Sequence, residues 1–342
     1  MLSLPKAFHT CARPWAEPVR KTAGVRSRTS IFVAVIDFPE RLERGHPFRQ
    51  WKTWRLPGDR LSLIGYSRAN DKTFFHVPEL KLALDAGLAE GRQVDTVLLT
   101  HTHLDHAKDL DFLATRESGI DIYVPEPSLP YVRAYLRATT ELNQVAAFDP
   151  ALAAGARVHG VRPGEEFAFG KRGSHVVRVV RTEHKVASVG YAVAENRRAL
   201  VPKLQELKAT LAPDAFGRLV ADRRRQGGAV DRQVRRPLFA YLGDTHADAL
   251  GRSPWLFDYP VIITECTYLD DAELDRARRV GHTVWSRLRP FVVAHPDTLF
   301  VLTHFSLRHS DREVIAFFER EGLANVLVWA HADSYLPEQH QH

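Results

Sequence analysis

"VDTVLLTHTHLDHAKDL", residues 94–110, joins two unlike halves. Val94 to Thr100 is an apolar run of strand length, while Leu104, Ala107, Leu110, Leu113 and Ala114 fall at helical spacing before Gly119. Between the halves, His101, His103, Asp105 and His106 crowd into six positions. Packing asks for no such crowding, because several polar groups held together all need partners. Imidazole and carboxylate are the donors that zinc and similar first-row cations accept. Side chains of an extended chain alternate, so His101 and His103 point to one side and can share an ion. Asp105 and His106, where the helix begins, can face a second ion beside the first.

From about residue 58 the chain reads as strands parted by Gly, Asn and Pro: "RLSLIGYS", "KTFFHVPE" and "LKLALDAG". After the quoted stretch come "IDIYVP", "HVVRVVRT", "SVGYAVA", "PLFAYLGD", "YPVIITE" and "TLFVLTH", with helical stretches around 271–291 and 310–321. Strands alternating with single helices predict a layered α/β architecture in which helices cover sheets. Five strand runs end on a group able to bind metal or move a proton: the quoted cluster, His184, Asp244, Glu265 and His304. In such folds ligands bind past the strand ends, so these groups are expected to converge at one rim.

Composition bounds the rest. A chain of 342 residues with 44% hydrophobic and 26% charged residues can bury a sizeable core. The runs "IFVAVI" and "PVIIT" fall well short of the roughly 18 apolar residues that cross a bilayer, so no membrane partner is expected. No export signal opens the chain, which favours the cytoplasm. Residues 1–50 read as a basic, poorly ordered extension. An organellar transit peptide is the alternative, which the prolines of the first thirty residues disfavour. Cys11 and Cys266 support neither a disulfide framework nor a thiolate metal site. The net charge of +6 is unevenly spread: eleven Lys and Arg between 197 and 236 face only Glu206, Asp214, Asp222 and Asp231. That excess is either a solvated face or a footprint for a polyanion.

"HTHLDH" matches the His-x-His-x-Asp-His motif of the metallo-β-lactamase superfamily, and "LALDAG" resembles its first-motif Asp strand. "EHKVASVGYAV", "YLGDT", "TECTYLDD", "GHT" and "LTHFSLRH" together resemble ribonuclease Z, the tRNA 3′-end processing endonuclease, in its short plant-type form, over about residues 60–325. The resemblance implies an α/β fold, the four-layer αβ/βα sandwich of two mixed β-sheets packed face to face with helices outside. It would span 51–333, with a basic arm-like insertion at about 195–236 and a tail at 334–342.

The same resemblance implies two zinc ions, one on His101, His103 and His184, the other on Asp105, His106 and His304, with Asp244 bridging. Manganese or iron(II) would also accept these donors. Such a site binds the scissile phosphate and generates the attacking hydroxide. Asp105 would take its proton, and Asp85 would be an outer carboxylate holding the motif loop. Glu265 and His282 would form a carboxylate–imidazole pair that protonates the leaving 3′-oxygen. Arg223, Arg224 and Arg225 would grip RNA, and Arg308 would contact phosphate. The implied activity is removal of the 3′ trailer of precursor tRNA by a homodimer. A small-molecule hydrolase of thioesters, lactones or cyclic nucleotides, or a non-catalytic RNA-binding protein, is the competing expectation on the same scaffold. His309 stands where the family has Tyr, and "GHTVW" where many relatives have Gly-His-Ser-Thr. Both departures bear on substrate preference.

Overall fold

A computed structural model describes residues 40–41, 52–116, 118–153 and 155–330. Apart from residues 40–41, the N-terminal extension with its targeting alternative and Cys11 lies outside the described residues, as does the tail 334–342.

The first sheet takes its strands in chain order: β1 (Glu40–Arg41), β2 (Lys52–Arg55), β3 (Ser62–Arg68), β4 (Lys72–Val77), β5 (Leu82–Leu84), β6 (Thr96–Leu98), β7 (Ile120–Pro125) and β8 (Ala156–Val161). Pairing is antiparallel up to β5 and parallel from β5 to β8. The second sheet holds β9 (Glu166–Phe169), β10 (His175–Arg181), β11 (Val189–Leu200), β12 (Asp231–Tyr241), β13 (Val261–Glu265), β14 (Leu299–Thr303) and β15 (Val326–Val328). It is antiparallel through β12 and parallel beyond. Parallel neighbours need long crossovers, which is why helices appear where the pairing changes sense.

Three apolar layers hold the sandwich. Leu63, Phe75, Val77 and Leu84 of the first sheet pack against Val177, Tyr191, Phe239, Ile263 and Trp329 of the second or beside it. Outside the first sheet lie α1 (Leu104–Ala107), α2 (Leu110–Ala114) and α3 (Leu129–Gln144), whose Leu110, Leu113 and Val132 cover Val97, Ile122 and Val124. In the β11–β12 connection run α4 (Pro202–Thr210) and α5 (Pro213–Arg225). After β12 come α6 (Asp248–Arg252), α7 (Leu274–Val280), α8 (Trp285–Ala294) and α9 (Asp311–Glu321). Leu250, Leu288, Val292, Val314 and Phe318 from α6, α8 and α9 cover Ile262 and Phe300 of the second sheet. Each such large apolar side chain contributes about 1.5–3 kcal/mol on burial. The expected four-layer sandwich of two mixed sheets is the observed one.

Two expected helices are broken, each with a cause. The helix read from Leu104 to Gly119 stops after Ala107 and restarts at Leu110. There the backbone turns to the loop after β5: Ala86 N donates to His106 O at 2.6 Å and Asp109 N to Ala86 O at 2.8 Å. The Asp109 carboxylate accepts from Ala89 N at 2.8 Å. These bonds replace helical ones and tie the Asp85 loop to the helix of Asp105. The stretch 271–291 is likewise divided between Val280 and Trp285, so His282 stands on a loop rather than at a helix start.

Residues 195–236, expected as an arm-like insertion, form a two-stranded ladder with two helices. From Asn196↔Arg235 to Leu200↔Asp231, β11 and β12 pair only with each other, and α4 and α5 close the end. Among the described residues no helix is long and apolar enough to cross a membrane.

Candidate metal centre

The carboxyl ends of the central strands deliver the polar groups. Asp85 follows β5, His101 follows β6, His184 follows β10, Asp244 follows β12, Glu265 ends β13 and His304 follows β14. The parallel registers Leu84↔Leu98, Tyr241↔Ile263 and Glu265↔Thr303 bring these ends level within each sheet. Among the bonds that fasten the sheets together here are Tyr191 OH to Leu99 O at 2.7 Å and Val189 N to Thr100 O at 3.0 Å. Glycine is required twice. A Cβ on Gly87 would fall 1.8 Å from Asp105 O. Gly243 turns at φ +60 before Asp244, and a Cβ there would meet Thr100 Oγ1 at 2.6 Å.

The imidazoles meet nitrogen to nitrogen. His103 Nδ1 lies 3.1 Å from both His101 Nε2 and His184 Nε2, and His106 Nε2 lies 3.4 Å from His304 Nε2. Asp105 approaches the last two nitrogens at 3.8 and 3.7 Å. Asp244 sits between the groups, 3.4 Å from His106 and His304, 3.8 Å from His101 and 4.0 Å from His184. The ligand atoms of His101, His103 and His184, and those of Asp105, His106 and His304, each lie within 4.8 Å of one another.

The outward nitrogens of four of the five rings are engaged. His101 Nδ1 is 3.0 Å from Thr100 Oγ1, and His304 Nδ1 is 3.1 Å from Thr267 Oγ1. His184 Nδ1 donates to Gly281 O at 2.8 Å, and His106 Nδ1 meets Asp85 Oδ2 at 2.7 Å. A ring whose proton is held outward can offer the lone pair of its inward nitrogen to a cation, the arrangement that ligating histidines use. Facing lone pairs repel unless a cation lies between them. Asp244 Oδ1, moreover, is buried without a hydrogen-bond partner. A donor set of five imidazoles and two carboxylates with one orphaned oxygen fits a pair of divalent cations.

Electrostatics follow burial and charge. Desolvation, with His106 beside it, holds His101 well below the usual imidazole range, and burial also lowers His103 and His184. Burial opposes a charge on His106 too, but Asp244 and Asp85 raise it well above that range. Burial would likewise raise Asp244, yet His304 and His106 hold it well below the carboxylate range. Buried Asp85, at φ +59, accepts from Thr100 N at 2.7 Å and Tyr241 OH at 2.5 Å besides meeting His106.

Glu265 and His282 stand beside this cluster. Glu265 is 1% exposed and accepts from Thr245 N at 2.8 Å, Thr267 Oγ1 at 2.5 Å and Thr283 N at 3.0 Å. His282 Nδ1 lies 2.8 Å from Glu265 Oε1 and 3.9 Å from Asp244. Burial works against the imidazolium, but the Glu265 carboxylate outweighs it and raises His282 to about 9.

The arginines lie apart from the cluster. Arg223 donates to Ala229 O at 2.7 Å, Arg225 pairs with Asp222, and Arg308 pairs with Glu273. Exposed Arg224 makes no side-chain hydrogen bond or ion pair among the described residues. Sequence reasoning missed Thr100, Thr267, Tyr241 and the Gly281 carbonyl, which fix the histidines. Threonine hydroxyls and main-chain carbonyls carry no pattern of their own; adjacency to the motif residues was their one signal.

Comparison with known proteins agrees with this chemistry. The β-lactamase superfamily domain matches residues 69–201. The chloroplastic tRNase Z TRZ2 of Arabidopsis thaliana is 26% identical over 260 residues, covering 74% of this chain and 70% of that protein. The tRNase Z TRZ1 of the same plant is 26% identical over 257 residues, covering 73% and 87%. Ribonuclease Z of Haloferax volcanii is 29% identical over 259 residues, covering 67% and 77%. Among solved structures, the short form of human tRNase Z (ELAC1) aligns with a TM-score of 0.44 at 20% identity, covering 80% of this chain and 91% of that one. Residues 69–201 thus resemble a β-lactamase superfamily domain, and proteins named tRNase Z or ribonuclease Z are among those to which the chain is similar over two thirds or more of its length.

Proposed function

We propose that the protein is a dinuclear-metal phosphodiesterase, an endoribonuclease that removes the 3′ trailer of precursor tRNA. The observation that carries this reading is the convergence of seven side chains able to bind metal beside His282 and the buried Glu265. The curated relatives are named for tRNA or RNA cleavage, which favours RNA over a small-molecule substrate and an enzyme over a passive binder.

His101, His103 and His184 would hold one ion, Asp105, His106 and His304 the other, with Asp244 shared. Two zinc ions, or manganese or iron(II), would supply Lewis acidity at the scissile phosphate and a nucleophile at neutral pH. The chain's own groups do the rest. Asp105, partly open to solvent, accepts the proton of the attacking water. His282, kept charged by Glu265, gives a proton to the leaving 3′-oxygen. Asp85 holds the His106 ring in place. The ladder at 195–236 neutralises phosphates of the folded RNA, with Arg224 the least engaged of its arginine triplet and Arg223 and Arg225 in support. Arg308 is a weaker candidate contact, since Glu273 already engages it.

Residues 51–333 would form one catalytic domain that works as a homodimer in the cytoplasm. A chloroplastic relative makes an organelle the competing address, which a fluorescent fusion of residues 1–50 decides. The activity is tested by incubating zinc-loaded protein with a 3′-extended precursor tRNA and, separately, with bis(p-nitrophenyl) phosphate. One cut after the discriminator base, leaving a 3′-hydroxyl, is expected. Hydrolysis of the small ester with the precursor left intact would favour the small-molecule hydrolase.

A further inference from the structure

Arg68, the last residue of β3, is only 7% exposed, and its charge has no role in the chemistry above. Its guanidinium is directed at a single loop of the other sheet. Nε donates to Phe305 O at 3.1 Å, and Nη2 donates to Ser306 O at 2.9 Å and His309 O at 2.5 Å. Nη1 pairs with the buried Asp311 carboxylate at the start of α9. The next amide, Ala69 N, donates to Phe305 O at 3.2 Å. From the opposite side Ser306 N donates to Thr267 O at 3.0 Å, and His304 Nδ1 reaches Thr267 Oγ1 at 3.1 Å.

The segment 304–309 is therefore clamped between the first sheet and the loop after β13. His304 itself has φ +60. A non-glycine residue keeps that left-handed conformation only where its surroundings over-determine it. Stability alone is a poor reason for a buried Arg–Asp pair, because apolar residues of like volume commonly serve as well. An apolar pair cannot donate to three carbonyls at once; the rigid guanidinium fork can.

We infer that Arg68 is a positioning residue for His304: by fixing the backbone of 305–309 it aims the imidazole and sets the affinity for the ion that His304 would share with Asp105 and His106. The inference rests on the metal-centre reading. It adds that the clamp keeps the ligands of the two sheets in register at that ion without touching it.

The test is a cobalt(II) titration of metal-free wild type, Arg68→Met and Arg68→Lys by calorimetry, with amide hydrogen exchange of the three metal-free proteins. Wild type should bind two ions. Arg68→Met should bind one of them about 10- to 100-fold more weakly and the other unchanged. Its exchange should quicken at 304–310 while β6 and β10 keep wild-type rates. Arg68→Lys should fall between, since an ammonium keeps the charge opposite Asp311 but satisfies fewer carbonyls. Unchanged affinity for both ions would overturn the inference. Equal weakening of both, with exchange raised throughout the chain, would overturn it as well. If Arg68→Met does not fold, Arg68→Lys decides by the same criteria. A wild type that binds no pair of ions would instead defeat the metal-centre reading, before any variant is compared.

Discussion

His282 and Glu265 divide one task between them. In the proposed mechanism the imidazole is the proton donor, and the carboxylate, fixed by Thr245 N, Thr267 Oγ1 and Thr283 N, keeps it charged. His282→Ala should retain its metal and slow cleavage by about 10²- to 10⁴-fold, read as single-turnover rates on precursor tRNA beside metal content. The sign of the pH effect follows from the charge. A donor raised to about 9 is present below that pH and lost as pH rises through it. Glu265→Gln removes the cause of the rise, so the alkaline fall in rate should begin at lower pH than in wild type. A limb that stays put would assign it to another group. Asp85→Ala should weaken metal binding by about 10- to 100-fold in competition with a chelator, because His106 loses the partner that orients it.

At the scale of elements, much was legible because period and punctuation carry it. The strand of "VDTVLLT" and the helical spacing that follows could be read from the sequence; the break after Ala107 could not. It depends on Asp109 and His106 bonding to a loop some twenty residues earlier, a contact no local pattern encodes. The division of 271–291 falls at Gly281, whose left-handed backbone caps the helix and places His282 on a loop; that the same Gly281 carbonyl is the partner of His184 is a tertiary contact no local pattern encodes. The basic insertion was visible as charge, whereas the engagement of Arg223 and Arg225 within it was not. Arg224→Ala alone should therefore account for most of the loss in RNA affinity caused by the Arg223, Arg224 and Arg225 triple substitution. It should also lower the slope of log affinity against log salt by roughly one, with the cleavage rate at saturation unchanged. Filter binding at several salt concentrations measures both.

Across the whole molecule, the two sheets bring different groups able to bind metal to one rim: His101, His103, Asp105 and His106 from the first, His184, Asp244 and His304 from the second. Ions bound there would link the sheets and favour the folded chain by mass action. Chelation should lower the melting temperature, and returning zinc should restore it, with the shift growing with free zinc. That both sheets would build one site was legible from the polar residues ending the apolar strands. How they interlock was not, since Tyr191 OH on Leu99 O and Tyr241 OH on Asp85 are side-chain bonds across the sandwich. The central claim is that Asp244 stands between two cations. Elemental analysis of zinc per chain in purified wild type beside Asp244→Ala tests it most directly. Two zinc ions in wild type and no more than one in the variant is the predicted result; a wild type without bound metal, or a variant that keeps both ions, would contradict it.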